Sequence, residues 1–597
     1  MGVGSEERNL LILFGSQTGT AQEVAEQIWR EAKRHGWEGC VRGMDEVEPV
    51  ALLRQEACVF VCSTTGQGQE PDNMRSLWRF LLHRALPQGS LQNMSFGVLG
   101  LGDSSYAKFN FVAKRLQRRL MQLGATPLLA AGLADDQHQL GPDAVVGPWT
   151  TDLWSKLDEA FPLPQGGRGQ ETEEGKVPEV VPMRYKVRIG RKGDRAVRGR
   201  EIPSDQVLVA TLEERVRTTS ADHDQEVNLV RVRASGLSYS PGDVLMVQPL
   251  NPDDKVERLL RLFRLEPDDT IELLETDERH PIPLPPSWMC PNPCPAAEVV
   301  AKLLDLQAVP QRYALTLMAH FTTSELEEER LLELASPQGQ EDLFSYCHRP
   351  RRSTLEVLED FPHAAAALPP EFLFDIFRLI RPRAFSIASA PQTYPECAEL
   401  LVAVVKYRTI LSSPRLGLCS NWLARLPIGA PLHVWVKPGS FTFPKDQTIP
   451  VICVGPGTGC APFLSLAQQR ASYPEPRAEM VMFFGCRKEK GDFHCEQQWR
   501  RLAAEGVIRL FCAFSQDQPD KVYVQHKIEE QAALLWRLLA LEGAFFYVAG
   551  NAKNMPKGVR DAVLQVAQSQ GGLDVTAAET FVSGLEKGGR YQTETWA

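Results

Sequence analysis

The stretch Arg381-Pro382-Arg383-Ala384-Phe385-Ser386-Ile387-Ala388-Ser389 is the part of the sequence around which the rest of the chain is arranged. Its polar and apolar side chains alternate as in a half-buried strand, so we expect Arg383 and Phe385 on one face and Ala384 and Ser386 on the other. A guanidinium forks onto phosphate oxygens, and an aromatic ring stacks on a flat ligand. The stretch therefore favours a dinucleotide with a large ring system, such as a flavin, although such strands are also common where no ligand binds.

The length and composition indicate a multidomain globular protein. The 597 residues exceed what one core supports, and roughly three to five domains are expected. Hydrophobic residues make up 43% and charged residues 23%, and no apolar run approaches the roughly 20 residues that span a bilayer. We therefore predict a soluble cytoplasmic protein without a membrane partner. The net charge of −10 argues against nucleic-acid binding, so we interpret the basic run at residues 184–200 as linker flank.

The 13 cysteines contain no CxxC pair and suggest no disulfide framework. Cys290 and Cys294 are separated by Pro-Asn-Pro, and no pair of histidines lies nearby at ligand spacing. We therefore predict no metal site and expect free thiols in a reducing compartment.

The chain begins with a strand, a turn and a helix. Residues 10–14 form a short apolar strand, and Gly15-Ser16-Gln17-Thr18-Gly19-Thr20 leads from it into the helix. This arrangement points backbone N–H groups and a helix dipole at a phosphate. The turn lacks a Gly-Lys-Ser/Thr ending, which disfavours an ATP-type loop, and it needs no lysine if the ligand is a monophosphate. The apolar face of the helix carries Ala21, Val24, Ala25, Ile28 and Ala32.

Three further strands end in loops of the same kind. In a doubly wound parallel sheet such loops gather at the carboxyl edge, where ligands bind. Four of them at spaced strand ends, with Tyr106 and Phe109 available for stacking, predict a mononucleotide site. The strands are residues 57–63, 95–99 and 128–133, and their loops are residues 64–73, 100–110 and 134–136.

The loops at residues 15–20, 64–73 and 99–110 resemble the three FMN loops of a flavodoxin domain. The resemblance implies that residues 16–20 bind the phosphate and that Tyr106 stacks on the ring. Many relatives have a second stacking tyrosine where this chain has Thr65, so we expect weaker FMN retention. The implied FMN contacts are Ser16, Gln17, Thr18, Gly19, Thr20, Ala21, Thr64, Thr65, Gly66, Gln67, Leu101, Gly102, Asp103, Ser104, Ser105, Tyr106, Ala107, Lys108, Phe109, Asn110, Asp135 and Asp136.

The composition changes after Phe161 to a polar, glycine-rich stretch that cannot fold alone. We predict a flexible linker at residues 161–200 that lets the first domain swing. Strand patterns then recur to residue 249, residues 253–377 favour helices, and strands resume at Arg383. A helical insertion in a β-barrel accounts for this order, because the first barrel strands find their partners far down the chain.

Gly417-Leu418-Cys419-Ser420 opens a helix, where backbone N–H groups and Ser420 could hold a pyrophosphate. An ordinary N-cap at Ser420 explains the pattern equally well. Together with Arg383-Ala384-Phe385-Ser386, however, the segment resembles the FAD site of the ferredoxin-NADP reductase family. Phe385 stands where a tyrosine is usual, and Arg351 matches another FAD contact. The implied FAD contacts are Arg351, Arg383, Ala384, Phe385, Ser386, Gly417, Leu418, Cys419 and Ser420.

A second nucleotide fold is predicted near the C-terminus. Residues 448–454 form a buried strand, and Gly455-Pro456-Gly457-Thr458-Gly459 forms a tight turn before a helix, as nucleotide binding requires. Further strands at residues 480–484, 507–511 and 545–548 complete a doubly wound sheet.

The loop after the strand at residues 507–511 resembles the same family's pocket for adenosine 2'-phosphate, in which a cation and hydroxyls meet the extra phosphate. The resemblance implies a preference for NADPH over NADH. Gln516 and Gly558 replace a usual arginine and aspartate, so we expect a smaller preference for NADPH over NADH. Lys521 should maintain that preference. The implied NADPH contacts are Thr458, Ser515, Gln516, Lys521, Val522, Tyr523, Val524 and Gln525.

The chain ends in Thr593-Glu594-Thr595-Trp596-Ala597. Trp596 matches the aromatic residue that covers the FAD ring in this family and moves aside for nicotinamide. Ser386 and Glu594 match two members of the group that steadies hydride transfer. The third member, often a cysteine, is Ala549 here, so we expect a slower hydride step.

The chain resembles a diflavin reductase of the cytochrome P450 reductase type. Its motifs occur in the same order as in that family and cover nearly the whole chain. The resemblance implies an oxidoreductase that passes electrons from NADPH to FAD, to FMN and then to a one-electron acceptor. The predicted fold is a flavodoxin-like doubly wound domain followed by a ferredoxin-NADP reductase-like module. The predicted boundaries are 1–160 for the FMN domain, 161–200 for the linker, 201–446 for the FAD-binding β-barrel with its helical insertion at about 253–377, and 447–597 for the NADPH-binding domain.

The resemblance also implies an acceptor, an anamorsin-type iron-sulfur protein of cytosolic iron-sulfur cluster assembly, with cytochrome c as an acceptor in vitro. Acidic residues at Asp72, Asp103, Asp135 and Asp136 would steer a basic partner. The flavoprotein subunit of sulfite reductase, which has a similar domain order, is one alternative. A non-catalytic flavin-binding scaffold is another, motivated by Ala549 and Gln516.

Overall fold

The structure is a computed structural model that describes residues 8–65, 68–106, 108–162, 183–191, 206–276, 282–474 and 477–596. The chain divides into two compact units. The first comprises Met1–Ile202, Asn251–Arg381 and Thr409–Leu411, and the second comprises Pro203–Leu250, Pro382–Arg408 and Ser412–Ala597. In the part of the chain that the structure describes, no helix is both long enough and apolar enough to cross a membrane.

The strands, in chain order, are β1 (Asn9–Gly15), β2 (Glu38–Gly43), β3 (Ala57–Ser63), β4 (Ser95–Gly102), β5 (Thr126–Pro127), β6 (Gly132–Asp135), β7 (Lys186–Gly190), β8 (Leu208–Arg217), β9 (Val227–Arg233), β10 (Val244–Val247), β11 (Thr270–Leu274), β12 (Cys294–Pro295), β13 (Arg383–Ser386), β14 (Cys397–Ala403), β15 (Lys406–Tyr407), β16 (Arg415–Leu416), β17 (Pro431–Lys437), β18 (Val451–Pro456), β19 (Met480–Cys486), β20 (Arg509–Phe514), β21 (Phe545–Asn551) and β22 (Tyr591–Trp596).

The α-helices are α1 (Thr20–Arg34), α2 (Pro49–Leu52), α3 (Arg75–Leu81), α4 (Phe111–Gln122), α5 (Asp143–Ala160), α6 (Asp253–Leu262), α7 (Ala296–Lys302), α8 (Arg312–Phe321), α9 (Glu325–Ala335), α10 (Gln340–Leu343), α11 (Thr354–Asp360), α12 (Pro362–Ala367), α13 (Leu373–Ile376), α14 (Leu418–Arg425), α15 (Ala461–Ala471), α16 (Glu489–Asp492), α17 (Glu496–Ala504), α18 (Val524–Glu530), α19 (Ala532–Trp536), α20 (Met555–Gly571) and α21 (Val575–Lys587). Short 3-10 or π turns lie at Met44–Glu46, Asp72–Met74, Phe344–His348, Pro370–Phe372, Gly457–Cys460 and Arg537–Leu541.

A parallel sheet in the order β2-β1-β3-β4-β5 begins the first unit, and β6 pairs with β4. Its central strands are apolar along their length because helices cover both faces. Helix α1 packs on one face, and four of its five predicted apolar residues are buried there while Val24 is half buried. The flavodoxin-like arrangement predicted from the strand and loop pattern is confirmed.

The fourth predicted strand, residues 128–133, differs from the prediction. The structure has two short strands, β5 and β6, in this region. The indole N–H of Trp149 in α5 donates to the carbonyl of Ala130 at 3.0 Å, which gives the backbone between the two strands a side-chain partner. The chain rejoins the sheet at Gly132, where β6 begins. The backbone packs so closely on Leu99 there that a Cβ would lie 2.6 Å from its side chain, so this position requires glycine.

The helical insertion also belongs to the first unit. Helices α6 to α13 follow one another between β10 and β13, and their apolar faces share one buried cluster with one face of the parallel sheet and α1. A small antiparallel sheet in the order β12-β11-β7 accompanies them. Strand β7 falls inside the stretch predicted as a flexible linker, so the structure differs from that prediction at Lys186–Gly190; residues 163–182 and 192–200 of the predicted linker lie outside the described residues.

The second unit contains an antiparallel sheet in the order β13-β10-β17-β8-β9-β14. A bridge between Ile387 and Leu400 joins the end of β13 back to β14, which closes the sheet into a barrel. Inward side chains such as Ala210, Val230 and Leu245 are buried. The barrel predicted for this region is confirmed, and its strands lie on both sides of the insertion in the sequence.

The C-terminal part of the second unit is a parallel sheet in the order β20-β19-β18-β21-β22. Its inner strands were predicted from their apolar runs. Strand β22 was not, because its sequence Tyr-Gln-Thr-Glu-Thr-Trp is polar and only half buried at the sheet edge. It pairs with β21 along its whole length and so places the chain terminus beside the sheet.

Candidate cofactor sites

The first predicted phosphate loop connects β1 to α1. Gly19 has φ +94°, a conformation that glycine adopts without strain, and its N–H donates to the Ser16 hydroxyl at 2.8 Å. Helix α1 begins at the next residue, so its N–H groups and dipole face this loop. The geometry of the loop fits a phosphate.

The first and second loops are tied together. The Gln17 amide donates to Asp72 at 2.8 Å, and the Asp72 N–H donates back to Gln17 at 3.0 Å. The Ser16 N–H donates to the Asn73 side chain at 2.8 Å. Asp72, which was singled out as a steering group, therefore also serves as a structural tie, as does Asn73, whose role the sequence analysis missed.

Thr65 closes a tight turn in the second loop, because its N–H and hydroxyl both donate to the Gln69 carbonyl, at 2.9 and 3.0 Å. The hydroxyl of Thr64 accepts from the Val112 N–H at 3.3 Å. Gly66 and Gln67 of this loop, and Ala107 of the third, lie outside the described residues.

The third loop and the loop after β6 meet through their aspartates. The Ser104 N–H donates to Asp135 at 2.8 Å, and the Gln137 amide donates to Asp103 at 3.1 Å. Burial raises the pKa of Asp135, but hydrogen bonds from Ser104 and from the Gln137 N–H outweigh it, so this pKa lies below its usual value. The carboxylate is therefore ionised at neutral pH.

Asp136 behaves differently from its neighbour. Partial desolvation by the surrounding loops and then the nearby Asp103 carboxylate raise the pKa of Asp136, while the guanidinium of Arg351 opposes that rise. Arg351, predicted as an FAD contact, belongs to the first unit and lies close enough to influence this acidic loop. It adopts a left-handed backbone conformation with φ +54°.

Asn110 holds the third loop in place, a role that the sequence analysis did not distinguish from flavin contact. It is completely buried, has φ +49° and donates its side-chain amide to the Ala134 carbonyl at 2.9 Å. A Cβ on Gly100 or Gly102 would lie within 2.9 Å of its amide oxygen. The glycines of this loop therefore make room for Asn110. Tyr106, the predicted stacking residue, is half buried, and its N–H donates to the Asp103 carbonyl at 3.2 Å.

The two predicted FAD segments of the second unit come together. Arg383 and Phe385 lie in β13, opposite Val247 and Leu245 of β10, and Phe385 packs partly against the barrel core. Burial raises the pKa of Cys419 to about 12, and the nearby Arg383 guanidinium opposes this shift. The strand and the start of α14 are therefore close in space.

The alternative of an N-cap at Ser420 is wrong. Helix α14 begins at Leu418 with Gly417 as its N-cap, so Ser420 lies within the first turn. Its hydroxyl accepts from the Val405 N–H at 3.0 Å. A Cβ on Gly417 would lie 2.8 Å from Val405, so only glycine lets the backbone approach the segment between β14 and β15. The first turn of α14 then offers N–H groups to a pyrophosphate.

Ser386 and Glu594, predicted to act together, do meet. The Glu594 carboxylate accepts from the Ser440 hydroxyl at 2.7 Å. Burial raises the pKa of Glu594, and hydrogen bonds with Ser440 and Ser386 counter this effect. Ser440 is a site residue that the sequence analysis missed; its signal is the preceding Pro-Gly turn, where a Cβ on Gly439 would lie 1.7 Å from the Gly242 carbonyl oxygen.

The glycine turn after β18 has the close packing that nucleotide sites require. A Cβ on Gly459 would lie 2.2 Å from the Ala549 carbonyl oxygen, and one on Gly455 would lie 2.7 Å from the Gly459 carbonyl oxygen. Gly457 instead has φ +58° and no atom within 4 Å of its Cβ position, so its surface is open to a ligand. Thr458 follows it in a 3-10 turn. The turn fits a dinucleotide pyrophosphate.

The predicted 2'-phosphate residues lie around the carboxyl end of β20. The N–H groups of Ser515 and Gln516 donate to the carbonyls of Cys486 and Arg487, at 3.0 and 2.8 Å. Lys521 and Tyr523 are exposed. A Cβ on Gly558 would lie 3.4 Å from the Gln525 amide nitrogen, so Gly558 neighbours one of the implied NADPH contacts. Within the described ranges, no cluster of three or more His, Cys, Asp or Glu side chains that could hold a metal ion occurs.

Comparison with family models matches the three sites to three known domains. The flavodoxin family matches residues 12–149, the FAD-binding domain family residues 201–422 and the oxidoreductase NAD-binding domain family residues 453–561. With the sites described above, these matches make the chain an NADPH-dependent oxidoreductase with FMN and FAD as cofactors. The predicted fold class and cofactors are confirmed.

Full-length relatives narrow the class further. The chain is 46% identical to NADPH-dependent diflavin oxidoreductase 1 of Danio rerio, over 98% of this chain and 99% of the relative. The proteins of the same name from Xenopus laevis and Schizosaccharomyces pombe are 43% and 36% identical, over 99% and 98% of this chain and 100% and 99% of theirs. The chain belongs to the NADPH-dependent diflavin oxidoreductase 1 family. This membership excludes the scaffold alternative and favours this family over the sulfite reductase flavoproteins.

Proposed function

We propose that this enzyme is cytoplasmic and donates single electrons to an anamorsin-type iron-sulfur protein in cytosolic iron-sulfur cluster assembly. The observation that carries the proposal is the acidic edge around the FMN loops, formed by Asp72, Asp103, Asp135 and Asp136. Asp72 and Asp136 are exposed and the other two are half buried. Such an edge attracts a partner that presents basic groups. Cytochrome c, a basic protein, would be reduced at the same edge in vitro.

The residues of the chain have distinct parts in this proposal. Residues 16–20 would hold the FMN phosphate, and Tyr106 would stack on its ring. Arg383, Phe385 and the first turn of α14 hold FAD. When bound, the flavins supply the conversion of the two-electron hydride of NADPH into single electrons.

The remaining roles concern NADPH and the hydride step. Lys521, Tyr523 and Gln525 would hold the 2'-phosphate of NADPH, and Trp596 would be the residue that covers the FAD site and gives way to nicotinamide. Ser386, Ser440 and Glu594 form a hydrogen-bonded group that positions one carboxylate beside the reacting rings. The domain boundaries proposed with these roles are 1–160, 201–446 and 447–597, with 161–200 between the first two.

The acidic edge is tested by its effect on the rate of acceptor reduction. Asp136→Asn removes an exposed carboxylate from the edge, and Asp152→Asn removes an exposed carboxylate from α5 as a matched control. We expect Asp136→Asn to lower the second-order rate constant for reduction of the iron-sulfur protein about 2- to 5-fold at low salt, with no difference at high salt. Flavin content is measured alongside. Equal rate constants for both variants at every salt concentration would contradict the proposed edge.

A further inference from the structure

Arg381 lies against the phosphate loop of the flavodoxin-like fold, although it comes from a distant part of the sequence. A Cβ built on Gly19 would lie 2.1 Å from Cζ of Arg381, 2.3 Å from its Nη2 and 2.4 Å from its Nε. The guanidinium therefore packs directly on the backbone of Gly19. A side chain at position 19 would clash with it. Both residues belong to the first unit.

The helical insertion fixes the backbone that carries Arg381. Leu379 forms a bridge with Leu304, and the Ile380 N–H donates to the Leu303 carbonyl at 2.7 Å. Since Leu303 and Leu304 are both buried, this segment has a defined position. The backbone next to Arg381 is therefore fixed relative to the helical insertion.

A buried carboxylate orients the side chain. Glu23, in the first turn of α1, lies 3.7 Å from Nη2 of Arg381 and 3.3 Å from Nη1 of Arg378, and it accepts from the Gln311 amide at 3.2 Å. One carboxylate is thus shared by two guanidiniums. Close by, Arg30 pairs with Asp375 at 3.2 Å and Arg184 pairs with Glu26 at 3.0 Å. The positive end of α1 and the Arg381 guanidinium, which lies against Gly19, together favour an additional anion at this loop.

We propose that Arg381 binds the phosphate of FMN and completes a loop that contains no cation of its own between Gly15 and Thr20. The inference rests on the proposed FMN phosphate site at residues 16–20. It assigns one cofactor contact to the segment that follows the helical insertion rather than to the flavodoxin-like fold. Because the same phosphate then touches both parts, FMN binding stabilises their packing, and their packing strengthens FMN binding by the same factor.

The test compares FMN with riboflavin, which lacks the phosphate. Both are titrated into flavin-depleted full-length protein, with quenching of flavin fluorescence as the readout. For Arg381→Ala we expect FMN affinity to fall about 10- to 100-fold, as for the loss of a charged hydrogen bond, while riboflavin affinity stays the same. Arg381→Lys keeps the charge and should lose less. The matched control Arg378→Ala removes the other guanidinium at Glu23 and should keep the preference for FMN.

Three results would overturn the inference: unchanged FMN affinity in Arg381→Ala, an equal loss for FMN and riboflavin, or the same loss of FMN preference in Arg378→Ala. A separate variant tests the site on which the inference rests. Thr18→Asp places a negative charge in the loop and should weaken FMN but not riboflavin. If Thr18→Asp left FMN affinity unchanged, the phosphate site itself would be wrong. A loss in Thr18→Asp without one in Arg381→Ala would overturn the role of Arg381 alone.

Discussion

Glu594 lies directly opposite Ala549 in the parallel pairing of β22 with β21. Register partners in neighbouring strands present their side chains on the same face of the sheet. A methyl group therefore stands beside the Glu594 carboxylate, at the position where the resemblance to the ferredoxin-NADP reductase family led us to expect a thiol. Ala549 is fully buried, so solvent does not replace the missing group.

Ala549→Cys should speed the hydride step, because it restores a polarisable thiol beside Glu594. We expect the rate of FAD reduction by NADPH, measured by stopped-flow absorbance, to rise about 5-fold, which corresponds to about 1 kcal/mol. Ala552→Cys, three residues further on, is the control and should leave the rate unchanged. An unchanged rate in Ala549→Cys would show that alanine at this position does not limit the reaction.

The hydride step should slow as the pH falls through the raised pKa of Glu594. Burial raises this pKa, and the Ser440 and Ser386 hydroxyls donate to the ionised form. Protonation removes an acceptor from this group, so the active form is the carboxylate and activity is lost on the acid side. Glu594→Gln should be about 10-fold slower and lack this limb of the pH profile. An acid limb of the same midpoint in Glu594→Gln would assign it to another group.

The preference for NADPH should depend on Lys521. Lys521→Ala should lower the ratio of kcat/KM for NADPH to that for NADH about 10-fold, because a charged contact to the 2'-phosphate is lost. Gln516→Arg introduces a second cation near the proposed 2'-phosphate position and should raise the ratio by a similar factor. Steady-state cytochrome c reduction measures both. If Lys521→Ala kept the wild-type ratio, the phosphate would be bound elsewhere.

The pair of Asp375 and Arg30 should make the stability of the first unit pH-dependent. Burial raises the pKa of Asp375 to about 6, above its value in an unfolded chain. This group therefore contributes stability that is fully present below its unfolded pKa and is lost as the pH rises through about 6. In urea unfolding, Asp375→Asn should show a smaller decrease in stability between pH 4 and pH 7 than wild type. Parallel pH profiles for the two proteins would contradict this.

Local patterns predicted most of the sheets because buried parallel strands are apolar along their length. Residues 57–63 were located in full, and the loops after these strands carry the predicted cofactor contacts. Features that depend on distant contacts were not predicted. Strand β22 is polar, Ser440 joins Glu594 across 154 residues, and β5 and β6 are separated where the backbone at Ala130 accepts from Trp149. Arg381 is the first residue of the predicted flavin-binding stretch at residues 381–389. Nothing in the sequence indicates that its side chain approaches Gly19.

The central claim, delivery of single electrons to an iron-sulfur protein through FMN, is tested most directly by stopped-flow absorbance. An oxidised anamorsin-type protein is mixed with NADPH and either the fully loaded enzyme or an enzyme that retains FAD but has been depleted of FMN. The proposal predicts fast bleaching of the cluster with the loaded enzyme only, restored when FMN is added back. Equally fast bleaching without FMN would contradict the electron path. Absence of bleaching with the loaded enzyme, while cytochrome c is still reduced, would contradict the proposed acceptor.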